Sequence, residues 1–240
     1  NTAGGVIFFS STTGTTGNDN NVIEYNDVTG DEANRPVNGV YSEGTAEKEN
    51  SGNEVRNNHV FDFCHPSYNS NGINVSNNGT NWQIKGNSVY ETTSLSPTSS
   101  SIYTGIRIYN QGSGFIVDSN FIGGNSANTT GTWTKTGSEN NTFYAIYMAP
   151  DKGSVKRNKV CNFDWVNTGA ANWTGIHVAK GIISIGGPSA QDGNFIGDTT
   201  GNDNIKVTAG ASGGKISGVY YTGISISASN NEYFTVTHNY

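Results

Sequence analysis

The chain has 240 residues and a formal net charge of -6, with 13% charged and 33% hydrophobic residues. A chain this poor in positive charge offers no phosphate-binding surface for DNA or RNA and no basic patch for anionic lipid. No apolar run is long enough to span a bilayer, and 12 Tyr, 10 Phe and 4 Trp are too many for a disordered chain.

Val6-Ile7-Phe8-Phe9 reads as a first strand, followed by a glycine-threonine stretch over 11–20 that reads as turns. Ile23-Glu24-Tyr25-Asn26-Asp27-Val28 then introduces a motif: an aliphatic residue, two variable residues, an asparagine, any residue and a second apolar residue. The motif returns with its asparagine at Asn58, Asn87, Asn120 and Asn158, in a degenerate form at Asn194, and cut short at Asn239. The intervals are 32, 29, 33, 38, 36 and 45 residues. A period in this range with β-type composition predicts a solenoid. The repeat runs nearly end to end, so residues 1–240 are expected to form one segment of about seven coils. On ordinary strand spacing these would span about 30 Å.

A second element alternates with the first. A small residue precedes a short alternating strand at Gly39-Val40-Tyr41, Gly72-Ile73-Asn74-Val75 and Gly105-Ile106-Arg107-Ile108. It recurs at Ala145-Ile146-Tyr147-Met148, Gly175-Ile176-His177-Val178, Gly218-Val219-Tyr220 and Gly223-Ile224-Ser225-Ile226. Period-2 alternation turns Ile73 and Val75 inward and Asn74 outward, and does the same at the other copies. Tyr41, Asn74, Arg107, Tyr147 and His177 are therefore expected to form one outward stripe, with Ser225 continuing it. A short amide side chain serves the backbone at a tight bend and tolerates left-handed dihedrals. Asn26, Asn58, Asn87, Asn120, Asn158, Asn194 and Asn239 should thus mark one corner and stack as a ladder.

The segments 29–52, 64–71, 91–104, 124–143, 164–174 and 197–217 are rich in Gly, Ser, Thr, Asn and Asp and read as loops. Cys64 and Cys161 lie about three coils apart and read as buried free thiols. His59, His65, His177 and His238 show no metal-ligand spacing, so no metal site is expected. Asp19, Asp198 and Asp203 could offer oxygen ligands to calcium, but neither an EF-hand nor the GGxGxD signature is present, and no cofactor is expected. No nucleophile–histidine–acid motif appears, and Asp62 and Asp164 lie about three coils apart, too far to act as a glycosidase pair. No catalytic residue is assigned.

The asparagine corners and Gly-Ile strands resemble the right-handed parallel β-helix superfamily, which includes pectate-lyase-like proteins and periplasmic copper-processing β-helix proteins. The low charge and the Asn/Gly/Thr richness look most like repeat regions of large bacterial secreted or adhesin-like surface proteins. The resemblance implies an all-β, right-handed parallel β-helix outside the cell, serving as a rigid stalk or adhesive surface. Further coils or caps of a parent chain are expected on both sides, and a glycan or cell-surface partner along the stripe. The superfamily's enzymes imply the alternative, a polysaccharide lyase or glycoside hydrolase working beside Arg107, which sits mid-strand on the outward face.

Overall fold

The computed structural model describes residues 4–31, 34–197 and 204–208, together with the backbone of the strands Tyr221–Ile226 and Phe234–Val236. Among these residues almost every strand pairing is parallel, and the chain winds as a β-solenoid of about six turns, close to the seven coils given by the repeat count. Two 3-10 turns, Ala127–Thr129 and Ala190–Asp192, are the helical elements described.

Each turn contributes one strand to each of three sheets. The first face stacks Ile7–Phe9, Asn38–Ser42, Ser70–Val75, Ile102–Ile108, Thr142–Met148, Trp173–Val178 and Tyr221–Ile226. The second stacks Val22–Glu24, Glu54–Arg56, Gln83–Lys85, Phe115–Asp118, Lys152–Lys156, Ile182–Ile185 and Phe234–Val236. The third runs from Asp27–Thr29 to Phe195–Ile196. The two sequence elements are thus separate parts of one turn. The small–aliphatic strand builds the first face, and the asparagine motif spans the corner between the second and third.

The small residues have a steric cause. A Cβ on Gly39 would stand 2.7 Å from the Gly72 carbonyl oxygen, one on Gly72 2.7 Å from that of Gly105, and one on Gly105 2.6 Å from that of Ala145. The backbone of each turn lies so close to the next at these three positions that even the methyl group of alanine must displace it. The aliphatic residues that follow, Val40, Ile73, Ile106, Ile146 and Ile176, are in register and buried. They meet Val55, Ile84, Val117 and Val155 from the second face and Val60, Val89, Ile122 and Val160 from the third in one core.

The ladder asparagines at 58, 87, 120, 158 and 194 are fully buried, and Asn26 is exposed at the first turn. Nδ2 of Asn26 donates to Oδ1 of Asn58 at 3.1 Å, and the same bond runs from Asn58 to Asn87, Asn87 to Asn120, Asn120 to Asn158 and Asn158 to Asn194. The backbone N–H of each donor residue reaches the same Oδ1 at 3.0 to 3.1 Å. Asn239 lies outside the described residues. At the five corners from Asn26 to Asn158 the left-handed residue is the one before the asparagine: Tyr25, Asn57, Gly86, Ser119 and Arg157 have φ between 54° and 64°, whereas Gly193, before Asn194, is extended. Left-handed backbone costs a residue other than glycine about 1–2 kcal/mol, and the ladder bonds offset that cost at Tyr25, Asn57, Ser119 and Arg157.

Several segments expected as loops hold strands; in 29–52, Asn50–Ser51 pairs with Gly79–Thr80. Trp133–Lys135, Phe163–Val166 and Ile205–Thr208 form a fourth parallel sheet. It encloses Trp133, Phe143, Phe163, Trp165 and Trp173, whose ring centroids lie 4.9–5.9 Å from a neighbouring ring. The polar composition of these segments is confined to their ends, and aromatic alternation decides their interior. Cys64 and Cys161 are buried thiols not joined in a disulfide; burial and the charge of Asp62 push the Cys64 thiol up, against the pull of Arg35.

Between the third and first faces lies an ion cluster that nothing in the repeat announces. Glu91 has no exposed surface and accepts the backbone N–H of Phe63 at 3.0 Å and of Cys64 at 2.9 Å. Arg35 ion-pairs with Glu91 through Nη1, while its Nη2 donates to Thr93 Oγ1 at 2.8 Å and lies 3.5 Å from Asp62. Asp62 in turn accepts the Thr92 backbone and hydroxyl, at 2.9 and 2.6 Å.

Candidate functional site

The first face carries the stripe as one register row. Tyr41 lies opposite Asn74, Asn74 opposite Arg107, Arg107 opposite Tyr147, and Tyr147 opposite His177; the backbone register continues to Ser225. The row is tied together laterally. Arg107 Nη1 donates to Asn74 Oδ1 at 3.2 Å, and its guanidinium lies 4.5 Å from the Tyr109 ring centroid and 5.9 Å from that of Tyr147. The Tyr147 and His177 rings stack at 5.1 Å, and Tyr144 leans on both. Tyr41 stacks on Phe8 and donates its hydroxyl hydrogen to Glu43 at 2.7 Å.

The row is less open than alternation alone implies. Tyr41 is 7% and Asn74 5% exposed, whereas Arg107, Tyr147 and His177 are half-buried. Side chains on neighbouring turns cover one another at strand spacing, and the segments 67–71 and 99–102 rise beside the face.

A second outward row escaped the alternation argument. Asn38, Asn71, Thr104, Tyr144 and Thr174 stand in register three positions before the stripe residues. The close-packed Gly or Ala breaks strict period-2, so the residue before it also turns outward. Its sequence signal is plain once the steric role of the glycine is known: read the residue on its N-terminal side. Asn38 links the rows, its Oδ1 accepting from Asn71 at 2.9 Å and from Asn74 at 3.0 Å.

The two rows floor an open groove of about 580 Å³, a volume in the range of small-ligand sites. Asn38, Asn71 and Thr104 form one side of the floor and Tyr41, Asn74 and Arg107 the other; Ser67, Tyr68, Asn69 and the Ser99–Ile102 segment form the wall. Amide, hydroxyl, phenol and guanidinium groups line it, and no carboxylate does. A smaller depression of about 320 Å³ lies across the Arg107–Tyr109 stack, bordered by Tyr109, Gln111, Tyr147 and Lys180. Arg35, Arg56 and Arg157 each pair with a carboxylate; among the described residues Arg107 has none.

Burial sets the ionisation of the face. It pushes the Tyr41 phenol up to about 12, helped by the hydrogen bond and charge of Glu43. It raises Tyr147, against the pull of Arg107. It lowers Arg107, against the tyrosines around it. It also lowers His177 from 6.5, which keeps the stacked ring neutral. A base whose folded value is depressed binds fewer protons in the folded state than in the unfolded. Its contribution to stability is therefore present above pH 6.5 and is lost as pH falls through the lower folded value. The melting temperature should fall with pH in that window, and His177→Gln should flatten the fall relative to wild type.

The remaining acidic and histidine candidates are dispersed. Asp62 belongs to the Arg35–Glu91 cluster, and Asp164 lies 3.4 Å from Lys206 on the fourth sheet. Asp19 accepts the Ser51 backbone N–H at 2.8 Å; Asp198, Asp203 and His238 lie outside the described residues. Among the described residues no three His, Cys, Asp or Glu side chains gather to hold a metal ion. Among the described residues no helix is long and apolar enough to cross a membrane. No family model, curated protein or solved structure matches the chain.

Proposed function

We propose that the chain is a non-catalytic segment of a bacterial secreted or cell-surface protein. It acts as a rigid stalk whose first face grips glycans. The observation that carries the reading is the groove: two in-register rows of Asn, Thr, Tyr and Arg, with hydrogen-bonding groups of both kinds beside aromatic rings. Sugars present hydroxyls around their rim and C–H groups on their faces, and such a lining answers both. A parallel solenoid repeats its outward groups at strand spacing, which suits weak contacts multiplied along a polymer.

The alternative is a carbohydrate-active β-helix that uses Arg107 as its base. Burial favours this by lowering Arg107. The groove, however, lacks the facing carboxylates of glycoside hydrolysis.

The purified segment should bind members of a broad glycan array without converting them. Arg107→Ala should weaken binding by about tenfold or more, since a hydrogen bond to a charged donor contributes about 1.5–3 kcal/mol. Product formation from any bound glycan would instead establish the enzymatic reading. Full retention of binding by Arg107→Ala and Tyr147→Ala would place the contact elsewhere.

A further inference from the structure

Lys135 has no exposed surface, and it ends the strand Trp133–Lys135 opposite Trp165 in the next turn. Its Nζ donates to the carbonyls of Glu139 and Val166 and, at 3.1 Å, to Oδ1 of Asn167. Among the described residues no carboxylate lies within ion-pairing distance of it. Asn167 is 2% exposed and its carboxamide is fixed on every side. Oδ1 also accepts the Asn141 backbone N–H at 3.0 Å, and Nδ2 donates to the carbonyls of Asn141 and Ala171, each at 3.3 Å. Phe143 and Tyr103 pack against Trp165 beside the pair. A primary amine and a carboxamide thus face each other in a place closed to water.

We propose that Lys135 and Asn167 join through an intramolecular amide bond. The three donated bonds are those of the ammonium; loss of one proton frees the Nζ lone pair, and the unprotonated Nζ attacks Cγ of Asn167. The Nζ–Cγ bond forms, the Cγ–Nδ2 bond breaks, and Nδ2 leaves as ammonia with a proton taken from Nζ. Nothing is oxidised or reduced, and no co-reactant is consumed. Negative charge developing on Oδ1 meets the Asn141 N–H already aimed at it. Burial lowers Lys135 to about 8, with the charge of Glu139 acting the other way, so part of the population carries a free amine near neutral pH. The 3.1 Å bond from Nζ to Oδ1 holds the amine beside the carboxamide it attacks, so the step is intramolecular and needs no encounter. The bond would tie one turn to the next across 32 residues. Such a staple resists unwinding of the aromatic end of the solenoid.

The test is the intact mass of the purified chain under denaturing conditions, after incubation at mildly alkaline pH, followed by tryptic mapping. The expected mass is the sequence mass less one ammonia. Trypsin should fail to cut after Lys135, and a branched peptide should contain both residues. Lys135→Arg and Asn167→Ala should each keep their full sequence mass. An unchanged wild-type mass with an ordinary cut after Lys135 would overturn the proposal. So would an ammonia-sized loss found in a linear peptide, for example at Asn71-Gly72, where a succinimide gives the same mass. The wild-type mass decides the matter, so a variant that fails to fold does not blur the answer.

Discussion

Glu91→Ala is expected to lower the unfolding free energy by about 3–5 kcal/mol, the usual cost of removing one partner of a buried ion pair. The carboxylate satisfies three groups at once: the Arg35 guanidinium and the backbone N–H groups of Phe63 and Cys64. Its loss strands a cation that is 9% exposed, and Asp62 at 3.5 Å holds it less closely. The two N–H groups then lie in the core without an acceptor, at about 1–3 kcal/mol each. Domains are stable by only about 5–15 kcal/mol, so the variant should approach the unfolding threshold at physiological temperature. Urea unfolding followed by tryptophan fluorescence reads the effect. A midpoint within experimental error of wild type would mean the cluster contributes nothing to stability. Replacing Arg35 and Glu91 together by apolar residues should cost less than Glu91→Ala alone, because no unpaired charge is left behind.

Asn120→Leu should be nearly as damaging, although leucine is close in size and more hydrophobic. Oδ1 of Asn120 accepts the backbone N–H and Nδ2 of Asn87, each at 3.0 Å. Its Nδ2 donates to the Ile84 carbonyl at 2.9 Å and to Asn158 at 2.9 Å. Leucine leaves the Asn87 N–H buried and unpaired, at about 1–3 kcal/mol, and takes the side-chain bond from the Ile84 carbonyl. Asn87 Nδ2 keeps its bond to the Val55 carbonyl, and Asn158 Oδ1 keeps the Asn120 backbone N–H, so the damage stays local. The same substitution at Asn26 should cost far less, since that residue is exposed and no ladder bond enters it from a preceding turn. Melting temperatures of the two variants compared in one buffer test the contrast. Equal losses would show that the ladder bonds do not carry the cost.

Both the ladder and the first-face stripe were legible in the sequence because each depends on one local requirement repeated every turn. An asparagine is needed wherever a corner N–H must be met, and a small residue wherever two backbones touch. Neither requirement tolerates much variation, so the residue types survive among degenerate neighbours. The second groove row was hidden because the same close contact that selects glycine also breaks the alternation used to assign faces. The Arg35–Glu91 pair was hidden by distance: its members are 56 residues apart and occur once, so no period betrays them. The aromatic core of the fourth sheet was masked by its flanks. Gly, Ser and Thr around Trp133 and Trp173 dominate the local composition, while the buried residues are few and widely spaced. Lys135 is the extreme case, since a lysine in a polar segment gives no sign of complete burial.

The ladder has a direction. In all five links the donor belongs to the earlier turn and the acceptor oxygen to the later one. The carboxamide dipoles therefore add along the axis, as peptide dipoles do in a helix, and each bond polarises the next. Every side-chain oxygen points back toward the first turn, so a partial negative charge collects at Asn26 and its positive counterpart at the far end. The solenoid is thus an electrically polar rod, and cationic groups are favoured at its first turn over its last.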